Sequence, residues 1–307
     1  MLGVMVQALQ ERSVTRSVPR LLLRTMRPRQ WPKNVFVLAA VVFDGKLLHW
    51  PSLARSVAAF LVFCVVSSAV YIINDLADIE KDRAHPSKRL RPLASGQLSP
   101  AVAAVAAAAL IAVSLAVAWA LGVGFLAVTL AYLVVNIAYS FGMKSVLIVD
   151  LLAIAACFVL RVAAGVEVVH VARFSPWLYI CTTFLALFIA INKRRQEQVL
   201  LAGEASNHRA TLAGYSLPLL DQFTTIVISA TLMAYSLYTF SAPNLPANHA
   251  MMLSIPFVIY GLFRYLYLVQ VKGMGGAPED VVLRDPPLLA DLALYAVSVV
   301  IVLYLFS

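Results

Sequence analysis

The sequence predicts an all-α integral membrane protein of about nine transmembrane helices in one bundle, and three observations support this fold class. Of the 307 residues, 62% are hydrophobic and only 13% are charged, about half the charged fraction of an ordinary soluble domain. The mean hydropathy is +0.86. Apolar runs long enough to cross a bilayer recur along the chain, with no soluble domain between them. Lipid is therefore the expected solvent for most of the chain.

Nine apolar runs, separated by charged residues, prolines and glycines, define the predicted spans. They are Val35–Leu48, Leu53–Ile73, Pro100–Leu121, Val123–Ser140, Val146–Val169, Pro176–Ile191, Leu217–Phe240, Ala250–Val271 and Pro287–Phe306. The first run is short for a span, so we expect its helix to begin nearer Trp31. Residues 1–30 mix arginines with short apolar stretches, which predicts an amphipathic segment on the cytoplasmic surface, followed by a polytopic domain at 31–307.

The basic residues are distributed asymmetrically around these spans. With the N-terminus in the cytoplasm, nineteen of the 24 lysines and arginines fall in cytoplasmic segments, whereas only Lys46, Arg55 and Arg173 fall outside. This bias predicts that the N-terminus and the charged loops are cytoplasmic, and nine spans then place the C-terminus outside. The net charge of +9 favours membrane lipid and phosphorylated substrates as partners, and no nucleic acid is expected.

An acidic cluster follows the second predicted span. Its members are Asn74, Asp75, Asp78 and Asp82. Their spacings of three and four residues place one amide and three carboxylates on one face of a helix. Like charges this close repel unless a cation lies among them, and hard oxygen ligands suit Mg²⁺, with Mn²⁺ as a substitute. The alternative is a solvated acidic helix end, which the position directly below a membrane span disfavours.

A short basic loop follows the acidic cluster, between His85 and Gly96. It contains Lys88, Arg89 and Arg91. Magnesium that bridges two phosphates, with Lys and Arg neutralising the remaining charge, is a common arrangement for binding a diphosphate. For Lys88 and Arg89 an ordinary positively charged cytoplasmic loop is an equally good interpretation.

These two motifs together resemble the first signature of the UbiA-type membrane prenyltransferase superfamily. The matching residues are Asn74-Asp75-x-x-Asp78-x-x-x-Asp82 and Arg91-Pro92-Leu93-x-x-Gly96. Members of this superfamily are nine-helix intramembrane enzymes that bind a diphosphate through magnesium at this motif. The resemblance therefore implies a UbiA-like fold with cytoplasmic catalytic loops.

Two further stretches are similar to one branch of that superfamily, the polyprenyl-phosphate (decaprenyl-phosphate) phosphoribosyltransferases. The stretch Arg27-Pro28-Arg29-Gln30-Trp31-Pro32-Lys33-Asn34 resembles the RPxQWxKN pattern of this branch. A second stretch, Tyr139-Ser140-x-x-Met143-Lys144 with Asp150 and Arg161 beyond it, resembles the branch's YSxxLK…D…R signature. Met143 stands in place of the usual leucine.

A departure from the wider superfamily also favours this branch. Prenyl-diphosphate users carry a second aspartate-rich motif, for a second magnesium ion, in the loop after the sixth span. This chain has Asn192-Lys193-Arg194-Arg195-Gln196-Glu197 there, with no DxxxD pattern. Three adjacent cations suit another anionic group, such as the 5-phosphate of phosphoribosyl pyrophosphate. A stop-transfer cluster below a span is the alternative interpretation.

The resemblance implies a bacterial inner-membrane enzyme that transfers 5-phosphoribose from phosphoribosyl pyrophosphate to a polyprenyl phosphate of decaprenyl type, releasing pyrophosphate, for cell-envelope arabinan synthesis. The residues assigned to catalysis are Asp75, Asp78, Asp82 and Lys144, and the metal ligands are the three aspartates with Asn74. The residues assigned to substrate binding are Arg27, Lys33, Asn74, Lys88, Arg91, Tyr139, Asp150, Arg161, Lys193, Arg194, Arg195, Glu197 and Asp221. A homo-oligomer, with a trimer as the candidate, is implied as well.

Some of these assignments have an alternative. Asp150 and Arg161 lie in the fifth predicted span, where an internal ion pair that orders Lys144 is as good an interpretation as substrate contact. Asp221 either contacts a ribose hydroxyl or caps a helix.

The activity also has two alternatives. One is a UbiA prenyltransferase that moves an isoprenoid from its diphosphate to an aromatic acceptor, which the missing second aspartate motif disfavours. The other is a polytopic transporter, for which the sequence offers neither inverted repeats nor discontinuous helices.

Overall fold

A computed structural model describes residues 17–86, 88–171, 176–200, 212, 214–242, 245–274 and 278–306. Within these residues all regular secondary structure is helical. The α-helices are α1 Val18–Met26, α2 Ala39–Phe43, α3 Trp50–Ala77, α4 Ile79–Ala84, α5 Pro100–Leu121, α6 Val123–Phe141, α7 Val149–Val169, α8 Pro176–Leu200, α9 Leu217–Ser241, α10 Ile255–Gln270, α11 Pro278–Arg284 and α12 Pro286–Leu305. Segments of 3₁₀ helix lie at Pro28–Leu38, Lys88–Leu90, Met143–Ser145 and Ala250–Ser254.

Eight helical stretches in the described ranges are long and apolar enough to cross a bilayer. They are α3, α5, α6, α7, α9, α12, the Pro176–Val199 part of α8, and Ala250–Gln270, in which a 3₁₀ turn leads into α10. Large apolar side chains such as Val105, Trp119 and Ile226 are mostly exposed on the outer faces of these helices, as expected where lipid replaces water. The predicted all-α membrane bundle is confirmed.

The first predicted span, Val35–Leu48, is not the regular helix that the sequence predicted. An N-terminal 3₁₀ segment runs from Pro28 to Leu38, and the five-residue helix α2 follows it. Pro32, inside the 3₁₀ segment, has no amide hydrogen to donate to an α-helical hydrogen bond. The described residues therefore contain eight regular candidate spans where nine were predicted. The amphipathic segment predicted at 1–30 is described only from Ser17, and residues 1–16 lie outside the described ranges.

Three residues per turn give the N-terminal 3₁₀ segment distinct faces. Trp31, Asn34 and Val37 share the face that packs into the bundle. Trp31 Nε1 donates to Ser68 Oγ at 3.0 Å, and both Asn34 and Val37 are buried. Val37 lies so close to Gly165 of α7 that a Cβ built on this glycine would be 2.0 Å from the Val37 carbonyl oxygen. Glycine at position 165 thus lets the backbone of the segment lie directly on α7.

Gly165→Ala is expected to lower the melting temperature of the detergent-solubilised protein, because the added methyl group must push the 3₁₀ segment away from α7. Overpacking of this kind costs on the order of 1–3 kcal/mol, and a thermal melt followed by tryptophan fluorescence measures it. Gly142→Ala is the matched control, since a Cβ there would meet no heavy atom closer than 3.9 Å. Identical melting temperatures for the wild type and Gly165→Ala would contradict this close packing.

Helix α7 lies between two apolar clusters of the bundle. One cluster joins its later part to the N-terminal 3₁₀ segment, α2, α3, α5 and α6, and includes Phe63 and Tyr132. The other joins the beginning of α7 to α8–α12 and includes Leu151, Phe188 and Leu288. Because α7 packs against both clusters, its first turn has a fixed position between the two halves of the protein.

At the end of the bundle opposite the acidic cluster, basic side chains bind the carbonyl ends of two helices. Arg55 of α3 donates from Nη2 to Leu121 O at 2.7 Å and from Nε to Val168 O at 2.9 Å. Lys46 Nζ donates to His170 O at 3.3 Å. These cations complement the partial negative charge at the C-terminal ends of α5 and α7.

Candidate active site

The acidic cluster lies where α3 ends. The last helical residue of α3 is Ala77, Asp78 leaves the helical conformation with ψ of 12°, and α4 begins at the next residue. Asp75 is therefore on α3 and Asp82 is on α4. The prediction of one continuous helical face is wrong, because the acidic residues are divided between two helices joined by a bend at Asp78.

Arg91 connects two of these carboxylates. Its Nη1 lies 3.1 Å from Asp75 Oδ1 and 2.6 Å from Asp82 Oδ2. Both aspartates are buried, with 2% and 4% exposure. Hydrogen bonds between charged groups are stronger than those between neutral groups. Arg91 therefore holds the basic loop against the acidic cluster that precedes it.

Two more cations reach the same place from distant parts of the chain. Arg27, at the start of the N-terminal 3₁₀ segment, binds Asp75 Oδ1, and its guanidinium lies 5.1 Å from the centroid of the Tyr71 ring. Lys144, between α6 and α7, donates from Nζ to the two Asp78 carboxylate oxygens at 2.8 and 2.7 Å. We call this group of three aspartates and three cations the acidic centre; it consists of Asp75, Asp78, Asp82, Arg27, Arg91 and Lys144.

The acidic centre fits magnesium by the chemistry of its donors. In the described part of the chain, no three His, Cys, Asp or Glu side chains are grouped as metal ligands, and each aspartate of the acidic centre is paired with a cation. One oxygen of Asp75 and one of Asp82 nonetheless lie within hydrogen-bond distance of the same Arg91 nitrogen. Hard carboxylate oxygens that converge on one positive point are the ligands Mg²⁺ prefers. Asn74 lies beside them, and its Oδ1 is 3.4 Å from Ser140 Oγ of α6.

A second charged group lies on α8, which extends to Leu200. The predicted loop at residues 192–197 is therefore helical, since no glycine or proline ends α8 after the apolar run. Arg194 is fully buried. Its Nε donates to Asp150 Oδ2 at 2.7 Å, its Nη1 to Glu197 Oε2 at 2.7 Å and its Nη2 to Tyr139 OH at 3.0 Å. We call these four residues with Tyr215 the Arg194 cluster.

Tyr215 completes this cluster, although the sequence did not assign it to the site. Its hydroxyl donates to Asp150 Oδ1 at 2.7 Å and accepts from the Ile148 N–H at 2.9 Å. Burial and the hydrogen bond to Asp150 both raise the pKa of Tyr215, so the phenol remains a proton donor near neutral pH. Asp150 therefore forms an internal ion pair, as one interpretation predicted, and its cation is Arg194, which the sequence assigned to substrate binding.

Arg195 and Asp221 form a more exposed pair beside the Arg194 cluster. Arg195 Nε lies 2.6 Å from Asp221 Oδ1, and the Asp221 side chain is 44% exposed. Ser216 caps α9, since its hydroxyl accepts from the Leu219 N–H at 3.3 Å. The capping interpretation of Asp221 is therefore wrong.

Arg161 lies away from both groups, in the middle of α7. It is 5% exposed and donates to Asn34 Oδ1 at 2.8 Å, to Cys157 O at 2.8 Å and to Tyr132 OH at 2.9 Å. Arg161 is three helical turns from Asp150, or about 16 Å along the axis. The two residues therefore do not pair with each other.

Comparison with known proteins identifies the family to which the chain belongs. The model of the UbiA prenyltransferase family matches residues 35–275 of the chain. The chain belongs to this family. The decaprenyl-phosphate phosphoribosyltransferase of Mycolicibacterium smegmatis is 33% identical over 275 residues, which cover 86% of each protein. The enzyme of the same name from Corynebacterium glutamicum is 33% identical over 296 residues, which cover 92% of this chain and 87% of the relative.

Solved structures agree with the UbiA fold. A UbiA homolog from Archaeoglobus fulgidus bound to GPP and Mg²⁺ matches with a TM-score of 0.71 at 21% identity, covering 92% of this chain and 99% of that chain. The same homolog bound to DMAPP and Mg²⁺ gives a TM-score of 0.69 at 20% identity. The predicted UbiA-like fold is therefore confirmed.

In this UbiA-family protein the predicted site residues lie in the acidic centre, in the Arg194 cluster, at Arg161, or outside all three. The acidic centre contains Arg27, Asp75, Asp78, Asp82, Arg91 and Lys144, with Asn74 beside it; the Arg194 cluster contains Tyr139, Asp150, Arg194 and Glu197; Arg161 is inside the bundle; and Lys33, Lys88, Lys193, Arg195 and Asp221 belong to neither group. The end of α6 and the connection that follows it link the acidic centre to the Arg194 cluster, because Tyr139 lies on α6 and Lys144 lies in the connection. Lys88 is exposed, whereas Lys33 and Lys193 are half-buried.

Proposed function

We propose that this UbiA-family protein transfers 5-phosphoribose from phosphoribosyl pyrophosphate to a polyprenyl phosphate of decaprenyl type and releases pyrophosphate. The identity of about one third to decaprenyl-phosphate phosphoribosyltransferases over most of both chains supports it. The structural observation that carries the proposal is the acidic centre, in which three buried or half-buried carboxylates and three cations from separate segments balance one another.

This balance suits a site that must accept a metal and a diphosphate together. An unpaired charge in a poorly solvated place is costly. When carboxylates bind a metal and the neighbouring cations bind phosphate oxygens, every charge of the acidic centre again has a partner. The solved UbiA homologs bound to Mg²⁺ support magnesium as the cofactor of this chain.

The residues of the acidic centre then have separate tasks. Asp75, Asp78 and Asp82, with Asn74, would hold Mg²⁺, which would supply compensation for the charge that develops on the departing diphosphate. Arg91 is placed to bind diphosphate oxygens. The bond between ribose C1 and the diphosphate oxygen breaks, and C1 bonds to an oxygen of the acceptor phosphate.

The acceptor phosphate requires binding more than activation. A phosphate monoester has a second pKa of about 6, so it is largely dianionic at pH 7 and needs no general base. Arg27, Lys33 and Lys144 are the proposed cations for this phosphate, and the polyprenyl tail would extend among the membrane helices. Arg194 is fully buried, so we assign the 5-phosphate of the donor to Lys193 and Arg195, which are only half-buried.

We further propose a location and assembly for this activity. The bacterial relatives support a location in the bacterial inner membrane. The bias of basic residues favours a cytoplasmic acidic centre, where a soluble phosphoribosyl donor would reach it. The product, a polyprenylphosphoryl-5-phosphoribose, fits cell-envelope arabinan synthesis. A homotrimer is the proposed assembly.

The decisive experiment offers purified protein each donor with each acceptor. Phosphoribosyl pyrophosphate with polyprenyl phosphate should yield a lipid-linked phosphoribose in the presence of Mg²⁺, detected by mass spectrometry. A prenyl diphosphate with an aromatic acceptor should yield no product. The opposite pattern would replace the proposed function with the aromatic prenyltransferase alternative.

Lys193→Gln is expected to weaken binding of phosphoribosyl pyrophosphate by about ten- to a hundredfold, because a desolvated phosphate loses one charged hydrogen bond. A donor analogue without the 5-phosphate should bind the wild type and Lys193→Gln equally. Lys272→Gln, at the end of α10, is the control and should bind both ligands normally. Equal weakening of donor and analogue in Lys193→Gln would remove this residue from the 5-phosphate site.

A further inference from the structure

The structure assigns Arg161 a positioning role: we propose that it fixes the register of the N-terminal 3₁₀ segment and thereby places Lys33 and Arg27 for the acceptor phosphate. This inference rests on the proposed function for the identity of the acceptor. It differs from the substrate-binding role that the sequence predicted for Arg161.

The first observation concerns the partners of Arg161. Among the described residues no Asp or Glu pairs with it, and its three hydrogen bonds go to the neutral oxygens of Asn34, Cys157 and Tyr132. Its guanidinium also lies 4.9 Å from the Tyr132 ring centroid and 5.3 Å from that of Phe158. A charged group inside a membrane span is costly and is retained where it serves a function. The planar guanidinium here holds several groups in one geometry.

The second observation is the position of Asn34 among three elements. Its Oδ1 accepts from Arg161 of α7, and its Nδ2 donates to Ser67 Oγ of α3 at 3.2 Å, with Cys64 Sγ at 3.4 Å. The amide thus uses its acceptor toward one helix and its donor toward another. Asn34 therefore locks the 3₁₀ segment between α3 and α7.

The third observation is the register that this lock imposes. With three residues per turn, fixing Asn34 also fixes Trp31 on the same face and Lys33 on the adjacent face. Lys33 is half-buried and donates from Nζ to Gln30 Oε1. Arg27 begins the same segment and reaches Asp75. Loss of the Arg161–Asn34 hydrogen bond would therefore displace Lys33 and Arg27, two of the three proposed acceptor-binding cations, and leave Lys144, α4 and α8 in place.

Arg161→Lys tests this role, because a lysine keeps the charge but its single nitrogen lacks the planar fork with which Arg161 reaches three separate acceptors. We expect the KM for polyprenyl phosphate to rise by about tenfold or more, as for loss of a charged contact, while the KM for phosphoribosyl pyrophosphate changes less than about twofold. Arg55→Lys is the matched control, since Arg55 also donates to α7, at the end of the bundle away from the acidic centre. Arg55→Lys should lower the melting temperature, but it should not raise the KM for polyprenyl phosphate more than the KM for phosphoribosyl pyrophosphate.

A double substitution distinguishes positioning from general destabilisation. In a Lys33→Gln background the Arg161→Lys change should raise the acceptor KM less than it does alone, because residues that act together are not additive. Additive effects, or equal rises in both KM values that follow the melting temperature as in Arg55→Lys, would overturn the inference.

A measurement on the segment itself does not depend on the reaction. A nitroxide label at Arg29→Cys, on the exposed face of the 3₁₀ segment, should show faster motion in Arg161→Lys than in the Arg161 parent and in Arg55→Lys. Unchanged label motion would overturn the inference even if transfer is observed. If the wild type transfers phosphoribose to no acceptor, the proposed function fails, and the label motion still decides whether Arg161 fixes the segment.

Discussion

Asp75→Asn is expected to reduce kcat/KM for phosphoribosyl pyrophosphate by at least about a thousandfold, the scale of losing a metal ligand and its electrostatic contribution. Asp75 is 2% exposed and receives both Arg27 and Arg91. Asparagine preserves the volume of the side chain but removes its charge. Steady-state kinetics on protein of confirmed folding measures the loss, and Glu80→Gln is the control, because Glu80 is a solvent-exposed acid on the adjacent helix.

Removal of divalent cations separates a metal ligand from a mere ion-pair partner. The wild type in excess chelator should lose activity to about the level of Asp75→Asn, and added Mg²⁺ should restore it. Asp75→Asn should lose little more in chelator, since its metal is already absent. Full wild-type activity without divalent cations would refute the assignment of magnesium to the acidic centre.

Arg194→Gln is expected to destabilise the protein by about 3–5 kcal/mol, because it leaves the buried Asp150 without a cation. The wild-type pair has 1% and 0% side-chain exposure at a 2.7 Å distance. A thermal or denaturant melt in detergent measures the change. Adding Asp150→Asn should recover part of the stability, since the second change removes the unpaired charge.

The neighbouring arginine provides the comparison for this prediction. Arg195→Gln removes a pair whose acid, Asp221, is 44% exposed, so it should cost at most about 1 kcal/mol. Similar melting temperatures for the two variants would show that Arg194 is not a structural cation. A normal melting temperature for Arg194→Gln with lost donor binding would instead return Arg194 to the donor site.

The sequence predicted the fold because its signals were local and repeated. Apolar runs of span length identify α3, α5 and α12 without knowledge of their neighbours. The exception is the first span, which was expected to begin near Trp31, where Pro32 and Asn34 lie directly before the apolar run. Hydropathy counts apolar residues but does not report a proline in the hydrogen-bond ladder, so the 3₁₀ winding was not predicted.

The sequence predicted which residues belong to the candidate site better than it predicted which cation pairs with which carboxylate. The spacing of Asp75, Asp78 and Asp82 identified the acidic centre, and family motifs brought Arg27 and Lys144 to it. Which cation pairs with which acid depends on how α6, α7 and α8 pack. Such long-range contacts produce no characteristic residue spacing in the sequence. The pairing of Asp150 with an arginine 44 residues away is of this kind.

The contacts of Lys46 and Arg55 bear on the predicted membrane topology. Both were counted among the few basic residues on the outer side, and both bind carbonyl groups at helix C-termini. The charge of Lys46 is offset by Asp44, whose Oδ2 lies 2.7 Å from the lysine Nζ, and the charge of Arg55 is offset by the helix dipoles of α5 and α7. Both cations therefore act as fixed parts of the scaffold and not as free charges at the lipid headgroups. In the topology predicted from the charge bias, the number of basic residues on the outer side therefore overstates the positive charge that this side presents to lipid headgroups.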